Sequence, residues 1–350
     1  MLFLWLTYYK LEKAERNVNK PFNKTLAMDS QTLIQLIENW NPAGDPIILM
    51  PEETQPGYWV GCPGVFQDGD KTYITYRRRR PRNLGAERGW HCGILELTQT
   101  ADGYHTEEIW SVHKDELKTA SMERFAINKT DDGYELYLSY VDPADDRWRV
   151  DVVHAKDLRS FDVQTRTPVL NAASTKTEGV KDPFIVVEDG KEWMFLSVAK
   201  AGEIDDKNAA HGTQDIFNTK YAKSATAVAT RLAGSSTWEW QGYVLTPDND
   251  AAWDGNTRRI NSVISLSNGY LAFYDGKDSF EGNYEEQTGI ALSQDLLNWH
   301  VVTPQKPIIV SDSPSGSLRY VDFQIVDGSL ELIYEITRPD GSHDTRIHRF

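Results

Sequence analysis

The sequence predicts an all-β fold: a single five-bladed β-propeller of four-stranded antiparallel blades, its ring closed by strands from the two ends of the chain. Three observations predict it. The first is a hairpin that recurs at residues 61–76, 122–140, 178–198, 260–274 and 319–334, each copy a short apolar strand, a polar turn and a strand rich in Tyr and Phe. Copies about 60 residues apart mark a repeat architecture, because one such unit cannot bury its apolar face alone. The second is the turn chemistry, Asp-Gly or Asn-Gly, which suits the positive φ that tight hairpins require. The third is an echo: Asn39-Trp40 followed by Pro46-Ile47-Ile48-Leu49 repeats Asn298-Trp299 followed by Pro307-Ile308-Ile309-Val310. If the later stretch is the outermost strand of blade four, the earlier one completes the last blade, and the chain ends cover each other's sheet edges.

Along the chain, residues 1–27 read as an extension or leader, and residues 28–350 as the propeller, which carries the candidate site. The apolar run 2–6 is too short for a membrane span or a signal peptide's apolar region, so no membrane partner is expected. A helix is expected from residue 30, with Ser30 as its N-cap. Blade one runs from 61 to about 112, and its second strand exits into the basic run Arg77, Arg78, Arg79, Arg80 and Arg82. On a strand, alternate arginines point to opposite faces, so one or two of them are expected to turn inward. Blade two begins with Ser121-Met122-Glu123-Arg124. Blade three begins with E-G-V-K-D-P-F-I-V-V, residues 178–187, and carries a long polar insertion at 199–220 that includes His211; loops of that length in compact domains are usually functional or disordered. Blade four opens with Arg258, Arg259 and Asn261 and has a polar loop at 274–289, and blade five opens with Arg319, Tyr320 and Asp322.

Composition bounds the function. A chain of 350 residues with 40% hydrophobic content buries a large core as one domain. Its formal charge of −15 argues against nucleic acid as a partner. Two cysteines, Cys62 and Cys92, make no disulfide framework, and a reducing, cytoplasmic setting is the default; a periplasmic or secreted one follows if residues 1–27 act as a signal. There is no G-x-G-x-x-G, no P-loop and no G-x-S-x-G, so nucleotide and α/β-hydrolase chemistries have no foothold. With no H-x-x-x-H or C-x-x-C, neither a metal nor another cofactor is expected. The oligomeric state is not legible.

Superposing the repeats places Cys62, Glu123, Asp182, Asn261 and Tyr320 at equivalent positions, the starts of the innermost strands. In a propeller those ends converge on the axis and form one pocket. Arg78, His91, Arg124, Glu178, Arg259, Tyr274 and Glu285 are the further candidates near the same rim.

The Asp182-Pro183 start of an inner strand and the segment A-L-S-Q-D-L-L-N-W at 291–299 make the chain, from Met28 onward, resemble the five-bladed propeller glycoside hydrolases. These include the arabinanase and xylosidase type of family 43 and its relatives acting on fructans, agar oligosaccharides and mannosides. The resemblance implies a carbohydrate substrate and hydrolysis of a glycosidic bond in an oligo- or polysaccharide by carboxylates in a central funnel, one protonating the leaving oxygen and one activating water or attacking the anomeric carbon. It assigns catalysis to Asp182, which matches the Asp-Pro motif, and Glu123, on the same rim, with Glu285 as a third candidate. It implies binding roles for Arg78, His91, Arg124, Glu178, Arg259, Asn261, Tyr274 and Tyr320. The chain departs from the pattern at Cys62, where the arabinanase-like members carry a catalytic aspartate. Either the roles are redistributed among blades two to four, or the chain is a carbohydrate-binding or scaffold propeller without catalysis. The arginines gathered at this rim lead to the further expectation of a uronate- or sulfate-bearing sugar, the alternative being that they neutralise the rim's own acids.

Overall fold

A computed structural model describes residues 25–81, 88–200, 202, 206–282 and 285–350. Arg82 and most of the N-terminal extension lie outside the described residues, as does part of the insertion at 199–220. The chain is nearly all β, in antiparallel four-stranded units that follow one another along the sequence. A short strand, β1 (Ile47–Leu49), comes first and belongs to the last unit. The first unit is β2 (Trp59–Asp68), β3 (Lys71–Arg79), β4 (His91–Thr100) and β5 (Gly103–His113). The second is β6 (Ala126–Thr130), β7 (Gly133–Val141), β8 (Trp148–Ala155) and β9 (Thr167–Leu170). The third is β10 (Gly179–Glu188), β11 (Lys191–Lys200), β12 (Lys223–Leu232) and β13 (Glu239–Leu245). The fourth is β14 (Thr257–Leu266), β15 (Gly269–Lys277), β16 (Gln287–Ser293) and β17 (Trp299–Val301). The last is β18 (Leu318–Val326), β19 (Ser329–Thr337) and β20 (His343–Arg349), with β1 on its outer edge.

Turn chemistry sets the hairpins. Asp189 and Gly190, at φ 50° and 76°, and Asp327 and Gly328, at φ 51° and 79°, place two successive residues in the left-handed region, as a tight hairpin with the twist of its strands requires. Single parallel bridges, Trp59 to His343 and Ser224 to Thr257, join the last unit to the first and the third to the fourth.

Apolar cores lie between neighbouring units. Ile94 and Leu117 meet Ile127, Leu136 and Leu138 between the first and second, and Tyr137 and Val150 meet Val180 and Leu196 between the second and third. Phe195 and Val228 meet Val263 and Ala272, and Ile264, Leu271 and Ile290 meet Val321 and Leu332. Val60, Ile74 and Leu95 of the first unit pack with Ile48, Ile333 and Ile347 of the last.

The N-terminal segment is part of this packing. The helix Ser30–Glu38 is capped by Asp29, whose carboxylate accepts from Thr32 N at 2.8 Å, and not by Ser30, whose hydroxyl accepts from Asn268 Nδ2. An aspartate one residue earlier reaches the free amide better, so the cap moves forward. Leu33 and Ile37 are fully buried in the core between the fourth and last units. Leu26, which the sequence places in the extension, is buried as well and pairs with Leu266. The echo of Trp40 and Trp299 holds with one difference: Ile309 meets β16 through a lone bridge to Thr288, and the outer strand there is Trp299–Val301. No helix of the described residues is long and apolar enough to cross a membrane.

A truncation beginning at residue 25 is expected to melt with the full chain, whereas one beginning at residue 51 removes β1 and the helix and should lower the melting temperature sharply. Thermal denaturation followed by circular dichroism compares them. Equal melting of the shorter form would show that β1 does not protect the last unit.

Candidate functional site

The innermost strands do not run straight. The pairing of β2 with β3 shifts between Gly61 and Gly64, that of β10 with β11 between Lys181 and Phe184, that of β14 with β15 between Ile260 and Ser262, and that of β18 with β19 between Arg319 and Asp322. Each shift is a bulge of one extra residue, which bends the strand and re-aims a side chain. Cys62, Asp182 and Tyr320 sit at three of these bulges with φ of 59°, 52° and 51°. For a residue with a Cβ that conformation costs about 1–2 kcal/mol. Each is held there by the unit before it: Cys62 N donates to Glu335 Oε2 at 2.8 Å, Asp182 N to Ser139 Oγ at 3.2 Å, and Tyr320 N to Asp275 Oδ1 at 3.0 Å. Gly61 is needed beside the first bulge, because a Cβ at that position would collide with the Glu335 carboxylate.

The bulges bring Cys62, Glu123 and Asp182 together, with their sulfur and oxygen atoms within 4.8 Å of one another and all three side chains buried. Glu123 is paired with Arg77, and Lys181 Nζ lies 3.8 Å from Glu123 Oε1 and 3.7 Å from Asp182 Oδ2. Arg259 Nη1 lies 3.8 Å from the same Asp182 oxygen, which accepts no hydrogen bond; Asp182 Oδ1 accepts from Arg124 N at 3.3 Å. Among the described residues these three donors are the set that could ligate a metal, yet a divalent ion there would meet Arg77 and Lys181 already seated against the carboxylates. Burial opposes ionisation of Glu123, but Arg77 and then Lys181 outweigh it and hold the carboxyl below the usual range. Burial pushes the Cys62 thiol well above its ordinary value.

Beside this cluster, Glu286 is gripped by Arg259 Nη2 at 2.8 Å and Arg319 Nη1 at 2.6 Å, and Arg319 Nη2 also holds Glu335 Oε1 at 2.7 Å. The two arginines overcome burial and keep Glu286 ionised far below the usual range. Asp275 behaves in the opposite way. Burial foremost, with Glu286 adding to it against the pull of Arg259, raises its carboxyl to about 7. Lys277 is lowered by burial to about 8, and its ammonium donates to Asn218 Oδ1 at 2.8 Å.

Segment 206–222 of the insertion roofs these groups. The Phe217 ring lies 4.7 Å from Lys181 Nζ, Asp215 pairs with Arg88 at 3.0 Å, and His211 and Lys207, on the short helix Lys207–Gly212, hold Glu178 at 2.9 and 2.8 Å.

Arg259, Asn261 and Tyr320 lie at the centre with Glu123 and Asp182, Asn261 Nδ2 donating to Asp275 Oδ1 at 2.6 Å. Glu285 stands at the mouth, its side chain 26% exposed and its oxygens bonded to Ser315, Thr337 and His343. Other candidates are placed elsewhere. Arg124 turns its guanidinium away from this cluster, where it donates to Asn261 O at 2.5 Å and pairs with Asp322. Behind it lies a cavity of about 120 Å³ lined by Phe66, Ile127, Phe184, Val186, Val263 and Ile325. Glu178 is occupied by the roof. Arg78 reaches Met50 O, because the strand alternates: Arg77 and Arg79 point inward and Arg78 and Arg80 outward. His91 pairs with Glu108 and Tyr76 on the side of the first unit, and Tyr274 bonds Asp254 under Trp253.

The central residues that the superposition missed are Arg77, Lys181, Asp275, Glu286, Glu335 and His343. A signal for three of them was present, since second strands end in Y-R, Y-D and Y-E at 76–77, 274–275 and 334–335.

No protein-family model matches the sequence, and no curated protein matches it. Solved structures do, several of them described as glycoside hydrolases. The chain is similar to a structure described as a glycoside hydrolase (13% identity, TM-score 0.66, 92% of this chain and 95% of that one). It is similar to BT0996 in its RGII complex (13%, TM-score 0.66, 94% and 96%) and to a thermostable family-43 glycoside hydrolase (13%, TM-score 0.59, 85% and 92%). At such identity the likeness establishes a shared fold.

Arg77→Met is expected to cost about 3–5 kcal/mol of stability, because it leaves Glu123 buried without its partner. Arg78→Met on the outward face should stay within about 0.5 kcal/mol. Urea denaturation of both variants checks this, and equal costs would mean that the Arg77–Glu123 pair contributes nothing at the centre.

Proposed function

We propose that the chain is a glycoside hydrolase built as a single five-bladed propeller, with its reacting centre at Glu123 and Asp182. The four-stranded units, the apolar packing of the first against the last and the edge strand β1 on β20 support the closed ring. The observation that carries the function is the meeting of two buried carboxyl groups from different units within 4.8 Å, one of them with an oxygen that accepts no hydrogen bond, on a fold shared with glycoside hydrolases.

The two groups divide the work. Glu123, kept ionised by Arg77, acts as the carboxylate at the anomeric carbon. Asp182, whose Oδ2 is open to a partner, gives its proton to the glycosidic oxygen as the carbon–oxygen bond breaks. One oxygen of each lies within 4.8 Å of the other, which fits the close pairs, roughly 5 Å apart, that attack the sugar directly. A covalent glycosyl–Glu123 ester therefore forms, and water attacking its anomeric carbon returns a proton to Asp182. The roof over Lys181 must lift for a sugar to enter. Because Arg77, Arg124, Arg258, Arg259 and Arg319 are each matched by a carboxylate, the site has no surplus of positive charge, and a neutral glycoside fits it better than a uronate or sulfate.

A second reading, sugar binding without cleavage, is favoured by one observation: Cys62, a buried thiol, stands where the resemblance calls for a catalytic aspartate.

Against aryl glycosides, with 4-nitrophenyl β-D-xylopyranoside as the first probe, Asp182→Asn and Glu123→Gln should each lower turnover by at least about a hundredfold. Glu123→Gln should also lose stability, since Arg77 then keeps only its longer contact with Glu335. Full activity in both variants would remove the pair, and a wild type that binds sugars but cleaves none would favour the second reading.

A further inference from the structure

Of the central acids, Glu285 alone is partly open to solvent without movement of the roof, and it is joined to the core by a histidine. His343, at the start of β20, is fully buried and lies between two carboxylates: Nδ1 is 2.7 Å from Glu335 Oε1, and Nε2 is 3.3 Å from Glu285 Oε1 and 2.8 Å from Thr337 Oγ1. Its ring stacks on Trp59 with centroids 4.0 Å apart and planes 14° from parallel, so the imidazole cannot swing. Glu335 continues the path inward to Cys62 N. Hydrogen bonds thus run from the mouth at Glu285 through His343 and Glu335 to the bulge beside Glu123 and Asp182.

Carboxylates and guanidinium groups surround the imidazole. From β19 it faces Glu335, and from the segment before β16 it faces Glu285. Arg319 of β18 and Arg77 of β3 contact Glu335, at 2.7 and 3.8 Å, and Arg319 and Arg79 also lie over the Trp59 ring, at 5.0 and 4.4 Å. Nδ1 thus points at the Glu335 carboxylate, and Nε2 at the Thr337 hydroxyl with the Glu285 carboxylate just beyond it. Burial works against ionisation of Glu285, and His343 leads the groups that reverse it and hold the carboxyl below the usual range.

We propose that Glu285 is a substrate-contacting carboxylate of this site and that His343 is its positioning residue, fixing the carboxylate in place and in charge from the Glu335 side. The inference rests on the glycosidase reading and extends it to the mouth. A merely structural role for His343, as a staple between β20 and β2, would affect stability alone.

Two substitutions separate the ring nitrogens: the side-chain amide that His343→Asn introduces would reach about as far as Nδ1, and the one that His343→Gln introduces about as far as Nε2. With 4-nitrophenyl β-D-xylopyranoside, Glu285→Ala and His343→Asn should each raise KM at least about tenfold, with His343→Gln retaining most of the wild-type value. The folded-state value of Glu285 lies below its unfolded one, so removing the Nε2 contact should move the acid limb of the kcat/KM profile to higher pH in His343→Asn. Glu285→Ala should melt somewhat below the wild type, because it gives up the contacts to Ser315, Thr337 and His343, so KM is the readout that reports on the sugar. His343→Asn with the wild-type KM and acid limb, or His343→Gln falling together with His343→Asn, would overturn the relay. If the wild type cleaves nothing, the hydrolysis reading fails by itself, and the Glu285 carboxyl carbon resonance decides the relay. A titration shifted to higher pH in His343→Asn, together with a response to D-xylose in the wild type, would uphold it. No response to the sugar would overturn it.

Discussion

Three residues with side chains, Cys62, Asp182 and Tyr320, are held in left-handed backbone by hydrogen bonds from the neighbouring unit, and the candidate site depends on that constraint. An amide bonded to a carboxylate contributes about 1.5–3 kcal/mol net, comparable with the cost of the left-handed conformation. The strain at Cys62 and Tyr320 is thus offset only when Glu335 and Asp275 are seated beside them. The Asp182 bulge has the weaker, neutral Ser139 hydroxyl and is the least compensated of the three. Packing between units and the aim of the central side chains are therefore one problem, since the apolar cores that bring the units together also deliver the acceptors that open the bulges.

The same geometry decides charge. Acceptors drawn to the centre from several second strands are mostly carboxylates, and burying them together would be prohibitive without cations. Arg77, Arg259 and Arg319 supply these, so Glu123, Glu286 and Glu335 remain ionised while Asp275, less well served, is raised to about 7. Asp182 is the exception in this lattice. It faces Lys181 and Arg259 at 3.7 and 3.8 Å, distances too long for hydrogen bonds, and keeps one oxygen without a donor. Glu123, Glu286 and Glu335 are held by arginines, whereas this one keeps a buried oxygen that accepts no hydrogen bond.

Much of this was legible in the sequence where periodicity and turn chemistry act locally. The hairpins, the edge strand at 47–49 and the alignment of Cys62, Glu123, Asp182, Asn261 and Tyr320 follow from repeat spacing, and all of these stand at or beside the strand starts where they were placed. What the sequence did not display was direction. Arg124 neighbours Glu123, but its guanidinium turns away to Asp322, and Arg78 differs from Arg77 only by the alternation of a strand. The partners Glu335 and Asp275 were hidden because the second strand meets the bulge of the next unit, a contact across 273 residues for Glu335 and Cys62 that no local pattern encodes. The roof, from an insertion without repeat equivalents, had no template to align with.

The central claim is that Asp182 and Glu123 meet the sugar together. A crystal structure of Asp182→Asn soaked with xylobiose tests it most directly. A sugar ring should lie between the two residues, its glycosidic oxygen against residue 182, its anomeric carbon facing Glu123, and the segment over Lys181 should be displaced. Xylobiose bound elsewhere, with the roof closed and the central carboxylates untouched, would contradict it.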